Sequence, residues 1–242
     1  MFAETAGQKS FKNSLRHIAN KLGLEVFTVR RLPFGLNYLN DVISMNKQFD
    51  PKIIFDVGAN IGQTSIQLRR TFGKAQIYAF EPVHSTYTEL KKNLSDANVN
   101  TFNIGLGDKE EMKTVFHQNS SILNSLVDSL NKPNSAGTCE EVEISTLDNF
   151  CSKNDINNIS LLKIDTEGFG LKVLEGAQQL LKRAAITSVF IEVGFDDCDK
   201  RHDNFWEVNK LLGGYSFKLM GFYNQWIENS KLEYCNAFFI LK

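Results

Sequence analysis

A short segment that begins at residue 56 contains residues suited to binding or catalysis. In DVGANIG, residues 56–62, an acid follows an apolar run, and two glycines lie four positions apart around an asparagine. A glycine turn between a strand and a helix lets the backbone approach a nucleotide at the helix N-terminus. The segment therefore predicts a cofactor site; the alternative is a turn that only lets strand and helix pack. The candidate residues are Asp56, Gly58, Asn60 and Gly62.

The acid that follows the next apolar run narrows the choice of cofactor. Glu81 and Pro82 end the run QIYAF, residues 76–80, where a carboxylate can accept hydrogen bonds from a ribose diol. A dinucleotide site uses the pattern G-x-G-x-x-G, whose third glycine is absent here. S-adenosylmethionine carries a sulfonium and no phosphate, so an acid such as Asp56 suits it better than it would suit a pyrophosphate. The pattern favours S-adenosylmethionine, with Glu81 and Pro82 in its site.

A third acid follows the third apolar run. The segment NIGLGD, residues 103–108, places Gly107 and Asp108 just beyond that run. At this place Asp108 or the nearby backbone could meet the amino group of an adenine. The alternative is an Asp-Lys turn that only closes a strand. The residues leave both interpretations open, and we keep Gly107 and Asp108 as candidates for cofactor binding.

Strands and helices that alternate along the chain would position these residues. Strand-like apolar runs cover residues 53–57, 76–80, 99–104, 160–165 and 187–193, and amphipathic helical runs cover 63–73, 85–97, 169–183 and 203–214. Short apolar strands separated by amphipathic helices predict an α/β fold, with a mostly parallel sheet and helices on both faces. Ligands bind such sheets at the carboxyl ends of the strands, which is where the candidate residues lie.

Other segments interrupt or flank this alternation. Residues 111–145 predict an inserted hairpin around a long polar loop, residues 119–137, and the C-terminus predicts an antiparallel hairpin. We expect residues 1–50 to form an N-terminal helical cap or lid. Residues 51–242 would then form one cofactor-binding domain. The cap and the polar loop would shape the pocket for the second substrate.

Composition limits the class of protein. The chain has 27 Lys plus Arg against 28 Asp plus Glu, a net charge of −1, which argues against a partner bound through nucleic-acid phosphates. No apolar run approaches the ~18 residues of a membrane span, and the N-terminal residues lack the apolar stretch of a secretory signal. The cysteines show no metal or disulfide spacing. We expect a cytoplasmic protein with no nucleic-acid partner and no membrane span.

Five segments that occur in order resemble one protein family. They are FDVGANIGQTS, YAFEP, NIGLGD, LLKIDTEGFGLKVLEGA and VFIEVGF, and over residues 50–242 they are similar to the FkbM-type S-adenosylmethionine-dependent methyltransferases. The resemblance implies a class I methyltransferase (Rossmann-like) fold, with a seven-stranded sheet whose last strand is antiparallel, as the predicted C-terminal hairpin requires. It also implies O-methylation of a hydroxyl, often on a sugar, a glycosylated metabolite or another natural product, with S-adenosylhomocysteine as the second product.

The acceptor hydroxyl must lose its proton in such a transfer, so a base or a metal is needed near the ends of the fourth and fifth strands. Asp165 and Glu192 are the catalytic candidates at those ends. His202 follows the fifth strand and could reach the acceptor; the alternative, a solvated loop histidine, is the more common role of a histidine in such a position. Mg²⁺ held by Asp165, Glu167 and Glu192 is the alternative to direct base catalysis. We expect no metal, but the sequence leaves both mechanisms open.

One residue departs from the family pattern. Similar sequences carry an acid two positions after the DTEG segment, where this chain has Gly170. If that acid contacts the acceptor or a metal, part of the site is lost; if it only caps a helix, stability alone changes. Three rivals remain: an RNA or protein methyltransferase on the same fold, a degenerate cofactor-binding subunit without activity, and a nicotinamide oxidoreductase.

Overall fold

The computed structural model describes residues 14–15, 17–24, 26, 32–45, 50–116 and 139–242. The chain divides into two compact units, residues 1–47 and 48–242. In the first unit, helix α1 (Tyr38–Met45) has Leu39 and Val42 among its buried residues. The predicted cap or lid over residues 1–50 stays a prediction, as does its boundary with the following domain.

The second unit contains the elements that position the candidate residues. Its strands are β1 (Ile53–Val57), β2 (Gln76–Phe80), β3 (Asn100–Phe102), β4 (Gly105–Leu106), β5 (Glu111–Phe116), β6 (Cys139–Ser145), β7 (Leu161–Ile164), β8 (Ser188–Gly194), β9 (Asp203–Asn204), β10 (Phe217–Glu228) and β11 (Lys231–Leu241). Its helices are α2 (Gln63–Thr71), α3 (His84–Asn93), α4 (Leu147–Lys153), α5 (Gly170–Glu175), α6 (Gln178–Lys182) and α7 (Phe205–Gly214).

The main sheet has the strand order β10-β11-β8-β7-β1-β2-β3, and the short β9 pairs with β8. Strands β1, β2, β3, β7 and β8 run parallel to their neighbours in this set, whereas β11 runs antiparallel to both β8 and β10. The predicted α/β fold with a mostly parallel sheet and an antiparallel last strand is confirmed. Parallel strands aligned in this way bring the ends of β1, β2, β7 and β8 to one edge of the sheet.

A second, smaller sheet has the order β4-β6-β5, in which β5 and β6 form the antiparallel hairpin predicted between residues 111 and 145. The polar loop 119–137 lies outside the described residues. The third strand is shorter than the predicted 99–104, because the chain leaves the main sheet after Phe102. Gly105 and Leu106 then pair in parallel with β6 in the smaller sheet.

Helix α4 was not among the predicted helical runs, although it carries a helix start signal. The Thr146 side chain accepts a hydrogen bond from the Asn149 backbone N–H at 3.1 Å, which satisfies a donor that the helix leaves unpaired. Phe150 of α4 packs edge-on against Phe80 and Phe102, with ring centroids 4.8 and 4.9 Å away. The helix therefore covers the core side of β2 and β3.

The predicted helical run 169–183 is divided into α5 and α6 at Gly176 and Ala177. A Cβ on Gly176 would lie 1.9 Å from the carbonyl oxygen of Gly107, so only glycine allows this close approach. Among the described residues, no helix is both long enough and apolar enough to cross a membrane.

Candidate active site

The carboxyl ends of β1, β2, β7 and β8 border one cavity of about 400 Å³, a size typical of sites for small molecules. One part of its wall comes from the ends of β1 and β2, from the segments that follow them, from the start of α3 and from the smaller sheet: Val57, Gly58, Asn60, Phe80, Glu81, Pro82, Val83, Thr86, Gly105, Leu106 and Val115. The other part follows β7 and β8 or belongs to β8 and β11: Asp165, Thr166, Glu167, Glu192, Arg201, His202 and Tyr234.

The glycine turn after β1 is tied to the end of β2. The backbone N–H groups of Gly58 and Ala59 donate to the carbonyl oxygen of Phe80, at 3.1 and 2.9 Å. Gly58 has a φ of +74°, and a Cβ there would lie 1.8 Å from the carbonyl oxygen of Asp165. Glycine is therefore required at position 58, where the ends of β1 and β7 meet.

Glu81 is held rigidly in the cavity wall. Its Oε2 accepts a hydrogen bond from the Asn60 N–H at 3.1 Å, and its Oε1 accepts one from the Val83 N–H at 3.0 Å. Burial raises the pKa of Glu81 to about 7, although both backbone hydrogen bonds oppose the shift. A carboxylate fixed in this way keeps lone pairs for hydroxyl donors of a ligand, as the sequence predicts for a ribose diol.

Asp56 does not line the cavity; it is fully buried beneath the turn. Its Oδ2 accepts a hydrogen bond from the Ser65 hydroxyl at 2.6 Å, and its Oδ1 lies 2.9 Å from the Lys163 ammonium. The Lys163 ammonium also lies 3.2 Å from the Gly58 carbonyl oxygen and 3.5 Å from Oδ2 of Asp165. Asp56 and Lys163 thus form a buried ion pair beneath the glycine turn that follows β1.

Three further predicted cofactor residues also lie outside the cavity lining. A Cβ on Gly62 would lie 3.1 Å from side-chain atoms of Leu90 and Leu94, so this glycine allows α2 to approach α3. A Cβ on Gly107 would lie 2.9 Å from side chains of the smaller sheet and of Phe169. Asp108 pairs with Lys172, 3.3 Å away. The structure brings Gly105 and Leu106 to the cavity in place of Gly107 and Asp108.

Asp165, Glu167 and Glu192 line the cavity together and are called the acidic wall below. Burial, and then the charge of Asp165, raise the pKa of Glu167 to about 7 and that of Glu192 to about 8. Within residues 50–116, 139–242 and the other described parts of the chain, no group of three or more His, Cys, Asp or Glu side chains is placed to hold a metal ion. The three acids share a wall without the geometry of a metal site.

His202 lies beside the acidic wall, in contact with or next to three residues that were not predicted from the sequence: Asp199, Arg201 and Tyr234. Its Nδ1 lies 2.5 Å from Oδ2 of Asp199, and its Nε2 lies 3.8 Å from Oε2 of Glu192. Its ring stacks on Tyr234 with the centroids 4.2 Å apart and the planes 12° apart. Arg201 lines the same part of the cavity. The D-x-x-H spacing of Asp199 and His202 was a signal that could have identified the pair.

Position 170, where the resemblance predicts an acid and this chain has glycine, lies next to the carboxylate of Asp203. The carboxylate of Asp203 accepts hydrogen bonds from the backbone N–H groups of Gly170 and Leu171, at 2.8 and 2.7 Å. A Cβ on Gly170 would lie 2.6 Å from Oδ2 of Asp203. An acid from β9 therefore occupies the start of α5, in the space that a side chain at position 170 would need.

Comparison with known proteins agrees with the sequence motifs. The family model described as the methyltransferase FkbM domain matches residues 56–222. "Methyltransferase 1" of Beauveria bassiana is 25% identical over 187 residues, which cover 69% of this chain and 73% of that protein. "Hexuronic acid methyltransferase AglP" of Haloferax volcanii is 27% identical over 162 residues, 66% of this chain and 61% of that protein. The structure of M. capricolum TrmK with S-adenosyl-homocysteine gives a TM-score of 0.49 at 14% identity, covering 86% of this chain and 69% of that one.

Proposed function

Because the chain belongs to the FkbM methyltransferase family and is an S-adenosylmethionine-dependent methyltransferase, we propose that it methylates a hydroxyl of a sugar, a glycosylated metabolite or another natural product. The main support for this proposal is that the predicted cofactor residues and the predicted catalytic residues line one cavity. Glu81 lines one part of it, and the acidic wall with His202 lines the other. A cofactor and an acceptor bound in one cavity of this kind would meet without a further conformational step.

The residues around Glu81 suit the nucleoside part of S-adenosylmethionine. We propose that Gly58, Asn60, Glu81 and Pro82 contact the cofactor directly, since all four line the cavity. Asp56 and Gly62 would act indirectly, by fixing the turn and by letting α2 approach α3. Gly107 and Asp108 would also act indirectly, by holding the neighbouring Gly105 and Leu106 in the cavity wall. When bound, the cofactor supplies an electrophilic methyl group.

The acidic wall suits a hydroxyl acceptor. Protonated carboxyl groups of Glu167 and Glu192 could donate hydrogen bonds, and the ionised groups around them could accept bonds from hydroxyls. A sugar offers several hydroxyls that can use both kinds of partner. The similarity to a protein named hexuronic acid methyltransferase supports a carbohydrate acceptor.

Methyl transfer to a glycoside panel tests this proposal. The purified protein is incubated with isotopically methyl-labelled S-adenosylmethionine and with methyl glycosides of neutral hexoses and hexuronic acids, and mass spectrometry locates the label. We expect labelled methyl ether on a hydroxyl of at least one glycoside. Glu192→Gln should lower the yield, whereas Glu233→Gln, a change on the neighbouring strand outside the cavity lining, should not.

The position of the label decides the outcome. Label on a carboxylate would give an ester and would contradict the choice of a hydroxyl. Absence of transfer to every glycoside, while S-adenosylhomocysteine still binds, would contradict the choice of a sugar acceptor.

A further inference from the structure

The loop between β8 and β9 holds a carboxylate and an imidazole in a fixed arrangement at the cavity. Oδ2 of Asp199 lies 2.5 Å from Nδ1 of His202, and Oδ1 of Asp199 accepts a hydrogen bond from the backbone N–H of Arg201 at 2.8 Å. Both oxygens of the carboxylate are therefore engaged, which fixes its orientation. Burial alone would raise the pKa of Asp199, but the hydrogen bonds from His202 and Arg201 outweigh it and lower the pKa.

Three neighbouring features hold the imidazole in place. Tyr234 of β11 covers one ring face in a parallel stack. Pairing of Asp203, the next residue, with Val193 of β8 fixes the backbone. Gly194 provides the space, because a Cβ there would lie 3.0 Å from both Oδ2 of Asp199 and Cβ of His202. The His202 side chain is only 10% exposed, yet it lines the cavity.

The arrangement selects one form of the neutral imidazole. An ionised carboxylate can only accept hydrogen bonds, so Nδ1 of His202 must carry the proton that it donates to Asp199. The lone pair of the neutral ring then lies on Nε2. That atom is 3.8 Å from Oε2 of Glu192, which is beyond hydrogen-bond distance. Asp203 interacts with the ring electrostatically, Tyr234 stacks on it, and Arg201, Asp165 and Glu167 line the same cavity.

The carboxyl groups of the acidic wall are less suited to taking a proton. A pKa of about 8 keeps Glu192 largely protonated at neutral pH, so it can donate a hydrogen bond but has no vacant site for a proton on that oxygen. Asp165 already has the Lys163 ammonium 3.5 Å from its Oδ2. An imidazole with a bare Nε2 does not have either restriction.

We propose that His202 takes the proton of the acceptor hydroxyl through Nε2, and that Asp199 is the positioning residue that makes Nε2 available. The inference rests on the proposed function, which it deepens by naming the proton acceptor. The acceptor oxygen bonds to the methyl carbon while the carbon–sulfur bond breaks with its electron pair going to sulfur. The hydroxyl proton moves to Nε2, which leaves a neutral ether and an imidazolium paired with Asp199.

The tautomer of His202 tests the arrangement without any acceptor. Nitrogen NMR of the imidazoles is recorded on the full chain with saturating S-adenosylhomocysteine, toward alkaline pH where a histidine ring is neutral. His202→Gln identifies the signal by its loss. We expect the wild-type ring to carry its proton on Nδ1.

Asp199→Asn is the decisive variant, because its amide oxygen can still accept the Arg201 N–H bond while its NH₂ can only donate to Nδ1. We expect the ring to switch to the tautomer with the proton on Nε2. Asp197→Asn is the matched control in the same loop: Asp197 accepts a hydrogen bond from the Asn204 side chain at 2.8 Å, which Asn can also accept. The control should leave the tautomer unchanged.

Kinetics give the second measurement. With a glycoside that accepts the methyl group, Asp199→Asn should lower kcat by about 10²-fold, with the KM for both substrates nearly unchanged, because the loss of a positioned base affects the transition state and not binding. A wild-type ring protonated on Nε2 would overturn the inference. So would a ring whose tautomer is the same in Asp199→Asn as in the wild type. Failure of the wild type to bind S-adenosylhomocysteine would instead remove the proposed function, and the tautomer would still be measurable.

Discussion

At the scale of single residues, the predicted site residues have two different roles: some line the cavity, and others support the residues that line it. Sequence spacing identified Glu81 and Asp165 in the lining, and it also selected Asp56, which lies in a buried ion pair beneath the turn. The spacing shows that an acid ends a strand. It does not show which face of the strand end the side chain uses, because a partner such as Lys163 comes from another strand.

The exchange of an acid between positions 170 and 203 gives a residue-scale prediction. Gly170→Ala places a Cβ against the Asp203 carboxylate, and we expect it to lower the free energy of unfolding by about 1–3 kcal/mol. In an Asp203→Ala background, Gly170→Ala should cost less, because the clashing carboxylate is gone. Unfolding by denaturant of both single variants and the double variant measures the coupling.

Gly170→Asp in the Asp203→Ala background extends this cycle. If one carboxylate at the start of α5 is what the fold requires, the new acid should recover part of the stability lost in Asp203→Ala. Two results together would contradict this requirement: additive effects of Gly170→Ala and Asp203→Ala on the free energy of unfolding, and no recovery of stability by Gly170→Asp.

At the scale of elements, α4 ties the helical layer to the aromatic side of β2 and β3. Phe150→Ala should lower the free energy of unfolding by about 3–5 kcal/mol, since it opens a cavity in the core cluster. Met112→Ala on β5 is the control, because that side chain is 60% exposed; its effect should stay within about 0.5 kcal/mol. Equal effects in denaturant unfolding would show that α4 is not part of the core.

Sequence patterns predicted most of the strands and helices that form the main sheet and its helical layers. The strand-like runs match β1 and β2 fully, and β7 and β8 within one residue at each end, because parallel strands buried on both faces are continuous apolar runs. The third strand was predicted too long, because pairing of Gly105 and Leu106 with the distant β6 is not encoded in local periodicity. Helix α4 was missed because its seven residues are too few for a clear helical pattern.

Local patterns identified the candidate site in part. Glycine turns and acids at strand ends are visible along the chain, so the Glu81 side and the acidic wall were predicted. Arg201 and Tyr234, which line the cavity, were not predicted, and neither was Asp199, which contacts His202. They belong to a loop and to the antiparallel strand β11. Only the folded chain brings them beside His202.

At the scale of the whole molecule, the buried acids predict how stability depends on pH. Glu81, Glu167 and Glu192 have pKa values raised from 4.5 to about 7, 7 and 8, and burial is the first cause of each shift. Between pH 4.5 and 8 the folded protein retains protons that the unfolded chain releases, so stability should fall as pH rises through this range.

The unfolding temperature of the cofactor-free protein, measured across this pH range, tests the prediction. Glu192→Gln removes one of the titrating groups, so its unfolding temperature should fall less steeply with pH than that of the wild type. Glu89→Gln changes an exposed residue of α3 and should keep the wild-type slope. A wild-type stability that rises between pH 5 and 8 would contradict the burial of these acids.

Calorimetric titration with S-adenosylhomocysteine would show whether the cavity beside Glu81 holds S-adenosylmethionine. The wild type should bind in the micromolar range, NAD⁺ should not bind, and Glu81→Gln should weaken binding by about 10-fold or more, as expected for hydrogen bonds to a charged group. Glu89→Gln should match the wild type, and unfolding temperatures verify that each variant is folded. A wild type that binds NAD⁺ and not S-adenosylhomocysteine, or a folded Glu81→Gln that binds as tightly as the wild type, would contradict the placement of this cofactor beside Glu81.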